Sequence, residues 1–595
     1  MSLLTEASLI VTPNAYNVGK LYSVIPNTTL GDMDVSRGSS ATRVNEQGLI
    51  EIARTNLLLQ SQTFEDASWT KTNITVTANA TTAPDGTFTA DKLTITTTLG
   101  IHQINRLSVV ASSQCAMSIY AKADGFNTLT ILDGVGSNGS VFNLSTVTVT
   151  NLGTGVGTMV SVGDGWYRCI TIVTTTGFRL YCPNSSSSAG DGTSGIYIWG
   201  AQLEAGETAT EYIPTTTSIR TKFAGITQDG SSASNIPRID YPPLGGCPSI
   251  LVEPARTNEF FYSEQFDNVY WEKINSTITA NDTVAPDGTM TADKFIPNTT
   301  NSTHQIRKIA LTSNAYTFSV FAKAGGETTF SMWLLGASVR AEFNLSNGTI
   351  IINTTTSAKI ENYPNGWYRC SVYSSTPGTT FQIYGRSGGV YEGNNVDGIF
   401  FWGAQAEVGA NATSYIPTTT AAVPRAADVI SKTGITTLIG QTEGTLFVDV
   451  NFEAESIAKY YLTLGTSSAF NIAISARANN KIGMEVFNST GQVNITSTST
   501  YTTNQRLKIA MTYKLNDFKL YVNGVPQATD TSGTVPATGA VVLGSFATST
   551  SQAMDGINLA ILWKTPLTDD QCILLTGPSF SSYPEMASAL IYTLQ

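Results

Sequence analysis

The sequence predicts an all-β protein made of a duplicated sandwich and a further β-rich domain. Short runs such as "SIYAKA", "RCITIV" and "GIYIWGAQ" alternate apolar and polar residues, as half-buried strands do. Clusters of Gly, Asn, Asp and Pro separate these runs and indicate turns. No helical periodicity persists beyond a turn or two. The same blocks recur in the same order about halfway along the chain, and this recurrence determines the domain organisation.

The recurrence is a duplication of a whole domain. Trp69 matches Trp271 at an offset of 202 positions, and Trp166 matches Trp367 at an offset of 201. Between them, "APDGTFTADKL" matches "APDGTMTADKF", and "GDGWYRC" matches "PNGWYRC". Because the offset hardly drifts over ~160 residues, the pattern indicates a tandem duplication and not a solenoid. Many short strands with turns between them favour an antiparallel jelly-roll sandwich in each copy.

Composition excludes several classes of partner. The net charge is −11 and the sequence pI is about 4.9, so no basic excess is present to neutralise nucleic-acid phosphates or to dock on anionic lipid. No stretch reaches the ~18 apolar residues that a membrane span requires. The start, "MSLLTEASLIVTPNAY", lacks a basic region, so we expect no secretion signal and synthesis in a cytoplasm.

The repeated blocks carry a family resemblance. The series "S.YAKA", "GWYR" and "WGAQLE.G…T.YIPT" resembles the carbohydrate-binding-module-like β-sandwiches of bacteriophage head-spike and tail-fibre proteins. The segments "GDMDVSRGSSATRVNEQGLIE" and "PRIDYPPLGGCPSILVEPARTN" look like the leader and connector of the same proteins, so the resemblance covers roughly residues 1–425. After "PRAADVIS", the runs "FKLYVNG", "VVLGS" and "INLAILWKTPLTDDQ" resemble laminin-G/concanavalin-A-like sandwiches.

The predicted fold class is therefore all-β, with tandem duplicated jelly-roll sandwiches followed by a concanavalin-A-like (laminin-G) sandwich. The predicted segments are an N-terminal virion-attachment segment (1–50), jelly-roll module 1 (51–218), a connector (219–255), jelly-roll module 2 (256–425), the laminin-G-like domain (430–580) and a C-terminal tail (581–595).

The resemblance implies a non-enzymatic virion structural protein, a head or tail fibre that trimerises and adsorbs to bacterial surface polysaccharide. Such a protein is made in the host cytoplasm and displayed on the virion surface. The leader, residues 1–50, would contact other virion proteins, and its truncation is expected to abolish incorporation while leaving the sandwiches folded. Two alternatives stay open: a capsid-decorating or spacer protein without a ligand, and the binding part of a glycan depolymerase. The second is disfavoured because no domain-sized segment remains for a catalytic fold.

Trp333 is the first candidate for a sugar contact. In "TTFSMWLL" the alternation places Phe330 and Met332 on one face of a strand and Trp333 on the other. The first copy has Leu132 at this position, so the tryptophan is not part of the shared core pattern. An exposed aromatic face stacks on the C–H groups of a pyranose, and Trp333 is accordingly predicted to contact a ligand or another subunit.

Other tryptophans are repeated between the copies. Trp69 and Trp271 are candidate stacking platforms, but their repetition favours a place in the shared core. Trp166 and Trp367 are predicted to anchor the core at the start of a strand.

No catalytic residue is predicted. His102 and His304 stand without a nucleophile signature, and we expect strand histidines hydrogen-bonded to backbone. The carboxylates that a glycosidase would need are interpreted as turn or strand-edge residues. These carboxylates are Asp85, Asp91 and Glu204 in the first copy, and Asp287, Asp293 and Glu407 in the second.

No cofactor is predicted, and a structural Ca²⁺ stays open. The turn and strand-edge aspartates are one set of candidate ligands. Asp449, Asn451 and Glu453 alternate along one strand face of the third domain and are weak candidate ligands. A solvated outer face is the favoured interpretation of this alternation. No CxxC or Cys/His cluster indicates zinc. Three cysteines are expected to be buried free thiols: Cys169, Cys182 and Cys370.

Overall fold

The computed structural model of the chain describes residues 3–17, 19–52, 54–109, 113–206, 209–223, 226–229, 235–309, 311–312, 314–335, 339–386, 388–452, 459–467, 469–489, 491–546, 552–578, 583 and 585–586. Nearly all of the regular structure is β-strand, which confirms the predicted all-β class. The helical segments with defined bounds are three 3₁₀ turns, Leu3–Glu6, Pro364–Gly366 and Thr436–Leu438, and the α-helix α1, Asp569–Thr576. Residues 583, 585 and 586 are helical as well. Of the helices described, none has the length and apolar character that crossing a membrane requires.

The chain divides into two compact units. One unit is Ala53–Ala233 and contains the first copy of the repeat, here called the first module. The other combines Met1–Ile52 with Ser234–Gln595. The first module is therefore inserted into a unit that begins before it and continues after it. The leader strands that precede the insertion are β1 (Leu9–Asn17), β2 (Lys20–Ile25), β3 (Met33–Ser36), β4 (Thr42–Val44) and β5 (Ile50–Ile52).

The first module is an antiparallel sandwich with a single core. Its strands are β6 (Arg54–Asn56), β7 (Thr70–Thr72), β8 (Ile74–Thr81), β9 (Ala90–Ile95), β10 (Gln103–Arg106), β11 (Ser113–Asp124), β12 (Thr128–Leu132), β13 (Gly139–Asn143), β14 (Thr148–Leu152), β15 (Val156–Gly163), β16 (Trp166–Thr175), β17 (Phe178–Tyr181), β18 (Gly195–Ala205), β19 (Arg220–Phe223) and β20 (Ile226–Asp229). In the described part, two six-stranded sheets run in the orders β14-β13-β12-β17-β10-β7 and β15-β16-β11-β18-β9-β8. Their inner faces bury apolar side chains and the free thiols of Cys169 and Cys182, as predicted. Strand β19 pairs with β6 on one side and with β20 on the other, so the first and last strands of the module belong to one three-stranded sheet.

The second module repeats this topology. Its strands follow β21 (Arg238–Asp240) and β22 (Ser249–Leu251), and they are β23 (Arg256–Asn258), β24 (Glu272–Ile274), β25 (Ser276–Thr283), β26 (Ala292–Pro297), β27 (Gln305–Lys308), β28 (Tyr316–Gly325), β29 (Thr329–Leu335), β30 (Val339–Asn344), β31 (Thr349–Asn353), β32 (Ser357–Asn362), β33 (Trp367–Tyr373), β34 (Thr380–Gly385), β35 (Gly398–Val408) and β36 (Val423–Arg425). The described strands form sheets in the orders β24-β27-β34-β29-β30-β31 and β25-β26-β35-β28-β33-β32, which match those of the first module strand for strand. The predicted duplication is thus visible in the fold.

The C-terminal sandwich contains β37 (Val429–Thr433), β38 (Glu443–Phe452), β39 (Lys459–Ser467), β40 (Phe470–Arg477), β41 (Lys481–Asn488), β42 (Gly491–Thr496), β43 (Gln505–Lys514), β44 (Asp517–Val522), β45 (Val525–Asp530), β46 (Ala540–Leu543) and β47 (Gly556–Trp563). The hydroxyl of Thr568 accepts a hydrogen bond from the Gln571 N–H at the start of α1, and the Gln571 side chain accepts one from the Thr568 N–H. Helix α1 packs with Leu4 against Phe447 on the outer side of β38.

The leader belongs to this sandwich. Strands β3, β2 and β1 lie between β37 and β47 in a continuous sheet, with Leu9 opposite Leu562 and Asp34 opposite Ser431. Leu9, Ile10 and Val11 are at most 2% exposed. Residues 9–36 are therefore not a segment separate from the sandwiches, and the attachment role predicted for residues 1–50 stays a prediction. The run "LIV" is apolar throughout because the strand is covered on both faces.

The predicted connector is also part of this unit. Strands β21 and β22 form a hairpin whose second strand pairs with β47. Of the predicted C-terminal tail, 581–595, only residues 583, 585 and 586 lie among the described residues.

A cluster of five buried charged side chains joins the leader, the hairpin and the end of the second module. The two carboxylates, Asp428 and Glu253, pair with Arg37, Arg238 and Arg425. The Arg37 Nη1 to Asp428 Oδ1 distance is 2.8 Å and all five residues are at most 4% exposed. Burial raises the pKa of the Asp428 carboxyl, but Arg238 and Arg37 outweigh it and hold that pKa below its usual value. Arg37, placed by the sequence in an attachment leader, is instead a buried partner in this cluster.

Candidate functional site

The candidate site of the second module is the outer face of the sheet that contains Trp333, where polar and aromatic side chains lie together. Phe330 and Met332 are fully buried in the core, and Trp333 points to the opposite side, as the alternation predicted. Cross-strand pairing sets Gln382 on one side of Trp333 and Arg340 on the other. We call this surface the Trp333 face; its residues are Gln305, Arg307, Ser331, Trp333, Arg340, Glu342, Gln382 and Tyr384.

Trp333 is half-buried within a group of close neighbours. The Arg340 guanidinium carbon lies 4.8 Å from the indole ring centroid, and the Tyr384 ring centroid lies 5.2 Å away. Gly388 approaches so closely that a Cβ added there would lie 3.0 Å from Trp333 Cζ2, and its φ of +79° also favours glycine. The indole Nε1 is buried and forms no hydrogen bond to any described residue. A buried donor of this kind calls for a partner such as a ligand or water.

Polar groups surround the two rings. The Tyr384 hydroxyl donates to Gln382 Oε1 over 2.9 Å, which orients the carboxamide. Glu342 is 7% exposed, and its burial raises the pKa of its carboxyl above the usual value, although the nearby Arg340 partly opposes this shift. The buried Gln305 Oε1 has no partner among the described residues. Two aromatic rings beside amide, carboxyl and guanidinium groups can hold a hydroxylated ligand by stacking and hydrogen bonds.

Sequence reasoning identified Trp333 alone at this face. Arg340, Gln382 and Tyr384 come from strands β30 and β34, and only the strand register brings them to Trp333. The signal available in the sequence was the parity of each short strand, which gives a side chain's face but not its cross-strand neighbour.

The equivalent face of the first module is closed. Leu132 and Tyr181 are 2% and 6% exposed there. The loop at 133–138 is fastened by Asp133, whose carboxylate accepts hydrogen bonds from the N–H groups of Gly136 and Ser137 over 2.6 and 2.8 Å. Arg179 donates to the carbonyl of Gly134 in the same loop over 3.1 and 3.0 Å. The first module therefore buries the side chains at the positions of Trp333 and Tyr384, which the second module leaves partly exposed.

The prediction that Trp69 and Trp271 are stacking platforms is wrong, because both are 1% exposed and belong to the module cores. Their indole N–H groups donate to backbone carbonyls over 2.9 and 3.0 Å. Trp166 and Trp367 are 2% and 1% exposed, which confirms the structural role predicted for them.

The histidines and several carboxylates have structural partners. The two ring nitrogens of His102 lie 2.7 and 2.9 Å from backbone carbonyl oxygens, and those of His304 lie at 2.5 and 2.9 Å, as expected for structural histidines. Asp85 accepts hydrogen bonds within its own turn, as does its counterpart Asp287. The remaining pair, Glu204 and Glu407, is buried and accepts hydrogen bonds from Thr210 and Thr413.

Asp91 and Asp293 hold a strand irregularity in each module. Asp293 accepts from the N–H groups of Phe266 and Asn281 over 2.7 and 2.9 Å, and Asp91 makes the equivalent pair of bonds. Asn281 has a φ of 53° beside a register shift in β25, so the carboxylate secures a bulge. Burial raises the pKa of both carboxyls to about 6.

These raised pKa values predict a pH dependence of stability. In the unfolded chain an aspartate has a pKa of about 3.9, so the folded form binds the proton more tightly. The contribution of this proton binding to the stability of the fold is therefore present below pH 4 and is lost as the pH rises through about 6. The free energy of unfolding of the wild type should therefore fall between pH 5 and pH 7.5. In Asp293→Asn we expect this fall to be about 1 kcal/mol smaller, and urea titration at each pH measures it. The exposed Asp282→Asn on the same strand is the control, and an unchanged pH profile in Asp293→Asn would contradict the assignment.

Two of the weak candidate cation ligands in the third domain, Asp449 and Asn451, accept hydrogen bonds from protein side chains. Asp449 is 1% exposed and its two oxygens accept from Arg506 Nε and Nη2 over 2.8 and 2.7 Å. Asn558 Nδ2 donates to Asn451 Oδ1 over 3.0 Å, and Glu453 lies outside the described residues. The predicted solvated strand face is thus replaced, at Asp449, by a buried ion pair. Across the described ranges, no group of three or more His, Cys, Asp or Glu side chains is arranged to hold a metal ion.

No known family model and no curated protein matches the chain. Among solved structures, the IT-sialidase CBM40 of Ruminococcus gnavus bound to α2,3-sialyllactose is 20% identical over 24% of this chain and 85% of that chain, with a TM-score of 0.22. The NanB sialidase of Streptococcus pneumoniae is 15% identical over 26% of this chain and 28% of that chain, also at 0.22. Domain 4 of the arabinanase AbnA of Geobacillus stearothermophilus, in complex with arabinotriose, is 14% identical over 28% and 83%, again at 0.22. The similar structures thus include carbohydrate-binding modules, each matched over about a quarter of this chain.

Proposed function

We propose that this protein is a non-enzymatic glycan-binding protein and that the Trp333 face is its binding surface. The observation that carries the proposal is the difference between the two modules. In the first, Leu132 and Tyr181 are 2% and 6% exposed, whereas in the second the matching Trp333 and Tyr384 stay partly exposed among polar groups.

The chemistry of this face fits a neutral, hydroxyl-rich ligand. Opposite charges balance across it, since Arg307 makes two 2.8 Å bonds to Glu272 and Arg340 lies opposite Trp333 beside Glu342. A single strong charge would select an ionic ligand, whereas balanced donors and acceptors suit sugar hydroxyl groups. The ring faces supply the apolar contact that pyranose C–H groups need.

The biological setting of the proposal comes from the sequence resemblance. On that basis the protein is a head or tail fibre on the virion surface, trimeric and adsorbing to bacterial surface polysaccharide. Presenting several weak sites together raises the apparent affinity by orders of magnitude, which is what adsorption to a polymer requires. Contacts of residues 1–50 with other virion proteins remain part of this proposal, and the residues of β1–β3 that are buried in the sandwich are not available for them.

The test is binding of the full-length protein to host surface polysaccharide, beside the variant Trp333→Ala. We expect saturable binding that free polysaccharide displaces, and a dissociation constant raised at least ~10-fold in the variant, or ~1.4 kcal/mol. The matched control is Phe88→Ala, which removes an aromatic ring that is 64% exposed in a turn of the first module. This control is expected to bind like the wild type.

Thermal unfolding of each variant separates a lost contact from a lost fold. Equal binding by Trp333→Ala and the wild type would remove the Trp333 face as the site. Absence of binding by folded wild-type protein, at high protein concentration, would favour the spacer alternative. Release of reducing ends from the polysaccharide would instead support the depolymerase alternative.

A further inference from the structure

The two modules also differ on the outer face of their other sheet. In the second module, the outer sides of β32 and β33 border a cavity of about 540 Å³ whose remaining walls come from the leader, the β21–β22 hairpin and the C-terminal sandwich. The module side of this cavity is polar. It is formed by Ser357, Lys359, Glu361, Tyr363, Ser371 and Tyr373.

In the first module the equivalent positions are aliphatic. The offset of 201 that relates Trp166 to Trp367 places Val160 at the position of Glu361 and Val162 at that of Tyr363. These two valines are 53% and 44% exposed. We call the whole set the aliphatic patch; its residues are Val156, Val160, Val162, Ile170 and Ile172. One copy of the duplication thus presents apolar residues at a surface where the other presents polar ones, and such a patch marks an interaction site.

The patch lies at an open sheet edge. Strand β15 ends its sheet, and no described strand pairs with its other edge. At Gly157 this edge is covered by β14, because the Gly157 N–H points to the edge and donates to Asn151 Oδ1 over 2.8 Å. By alternation, the peptide groups of Met159 and Ser161 also face the open edge. Natural proteins block such edges with charged residues. Strand β32 carries Lys359 and Glu361, but β15 has the uncharged sequence "VGTMVSVG".

We propose that β15 is a self-association surface, on which β15 of a second copy of this chain pairs antiparallel about a two-fold axis. An antiparallel pair of identical strands is self-complementary, so one surface serves both partners. The chain carries a net charge of −11, and two copies therefore repel each other unless they meet at an uncharged surface. Strand β15 supplies that surface, with exposed valines flanking the free peptide groups.

The test is the molar mass of the full-length protein by sedimentation velocity and light scattering between about 1 and 100 μM. For the wild type we expect an assembly that grows with protein concentration. In the variant Val160→Glu the mass should fall by half and the dissociation constant should rise at least ~100-fold, because two like charges then face each other across the axis. The second module carries Glu361 at this position, so the fold accommodates the substitution. The control is Val147→Glu, which places the same charge on a 53% exposed valine outside the patch.

A wild-type protein whose molar mass stays constant over the whole range, whether as a monomer or as the trimer of the proposed function, would overturn the proposal. So would an assembly that Val160→Glu leaves intact, or one that Val147→Glu disrupts equally. Thr158→Lys, which copies Lys359 of the second module, is a second edge variant and must reproduce the effect of Val160→Glu. Because the Trp333 face lies on the other module, glycan binding by single copies tests the proposed function separately from this inference.

Discussion

Deletion of residues 1–36 is expected to unfold the C-terminal sandwich. The deletion removes β1, β2 and β3 from the middle of a sheet and leaves β37 and β47 without their neighbours. Burial of Leu9, Ile10 and Val11 alone contributes roughly 5–9 kcal/mol, which approaches the whole stability of an ordinary domain. Limited proteolysis followed by mass spectrometry should show cleavage throughout residues 430–578, with the first module left as a resistant fragment.

Excision of the first module is the matched control, because it removes far more of the chain. Joining Ile52 to Asn235 through a short Gly-Ser linker removes the whole inserted unit. The module's first strand, β6, and its last, β20, belong to one three-stranded sheet, and the linker replaces the inserted chain between Ile52 and Asn235. The remaining unit is expected to melt cooperatively. A soluble, protease-resistant C-terminal sandwich in the 1–36 deletion would contradict the topology described here.

The substitution Asp428→Asn is expected to lower the free energy of unfolding by about 3–5 kcal/mol. It leaves the buried cations Arg37, Arg238 and Arg425 with Glu253 as the remaining carboxylate of the cluster. Uncompensated buried charge is costly because the guanidinium groups cannot shed their protons near neutral pH. Chemical denaturation followed by fluorescence measures the change.

Arg238→Met gives the contrasting result. Removing Arg238 leaves two matched pairs, Arg37 with Asp428 and Arg425 with Glu253, and we expect a smaller loss than in Asp428→Asn. Lys514→Met breaks an exposed ion pair with Glu443 and is expected to cost less than ~1 kcal/mol. An Arg238→Met variant less stable than Asp428→Asn would show that the excess of cations is not what governs this cluster.

The fold of the two modules was predictable because its signals are local. Alternating strands, turn residues and a constant offset between matched tryptophans depend on neighbours in sequence, and each survives in both copies. The same alternation correctly placed Trp333 opposite Phe330 and Met332. It could not tell whether Trp69 and Trp271 were platforms or core, since a repeated aromatic fits both roles.

The position of the leader was not predictable in this way. Strand β1 pairs with β47, and no local pattern links Leu9 to Leu562. The solvated face predicted at Asp449 is wrong for a related reason. Alternation on β38 suggested a solvated face, but Arg506 on the neighbouring β43 pairs with the carboxylate and buries it. The burial of such side chains depends on partners from strands that are distant in the sequence, and a single sequence does not show which strands pair.

The interlaced leader has a consequence for how the chain is made. The backbone N–H of Ser8 donates to the Leu562 carbonyl over 2.8 Å, across a separation of 554 residues. At about 5–20 residues per second, a ribosome needs roughly 30–110 s to add the strand that completes this contact. Throughout that interval the "LIV" strand lacks its neighbour β47, while the first module can already fold. We therefore expect nascent chains halted before β47 to be held by chaperones or degraded, so that only fully translated chains acquire a closed C-terminal sandwich.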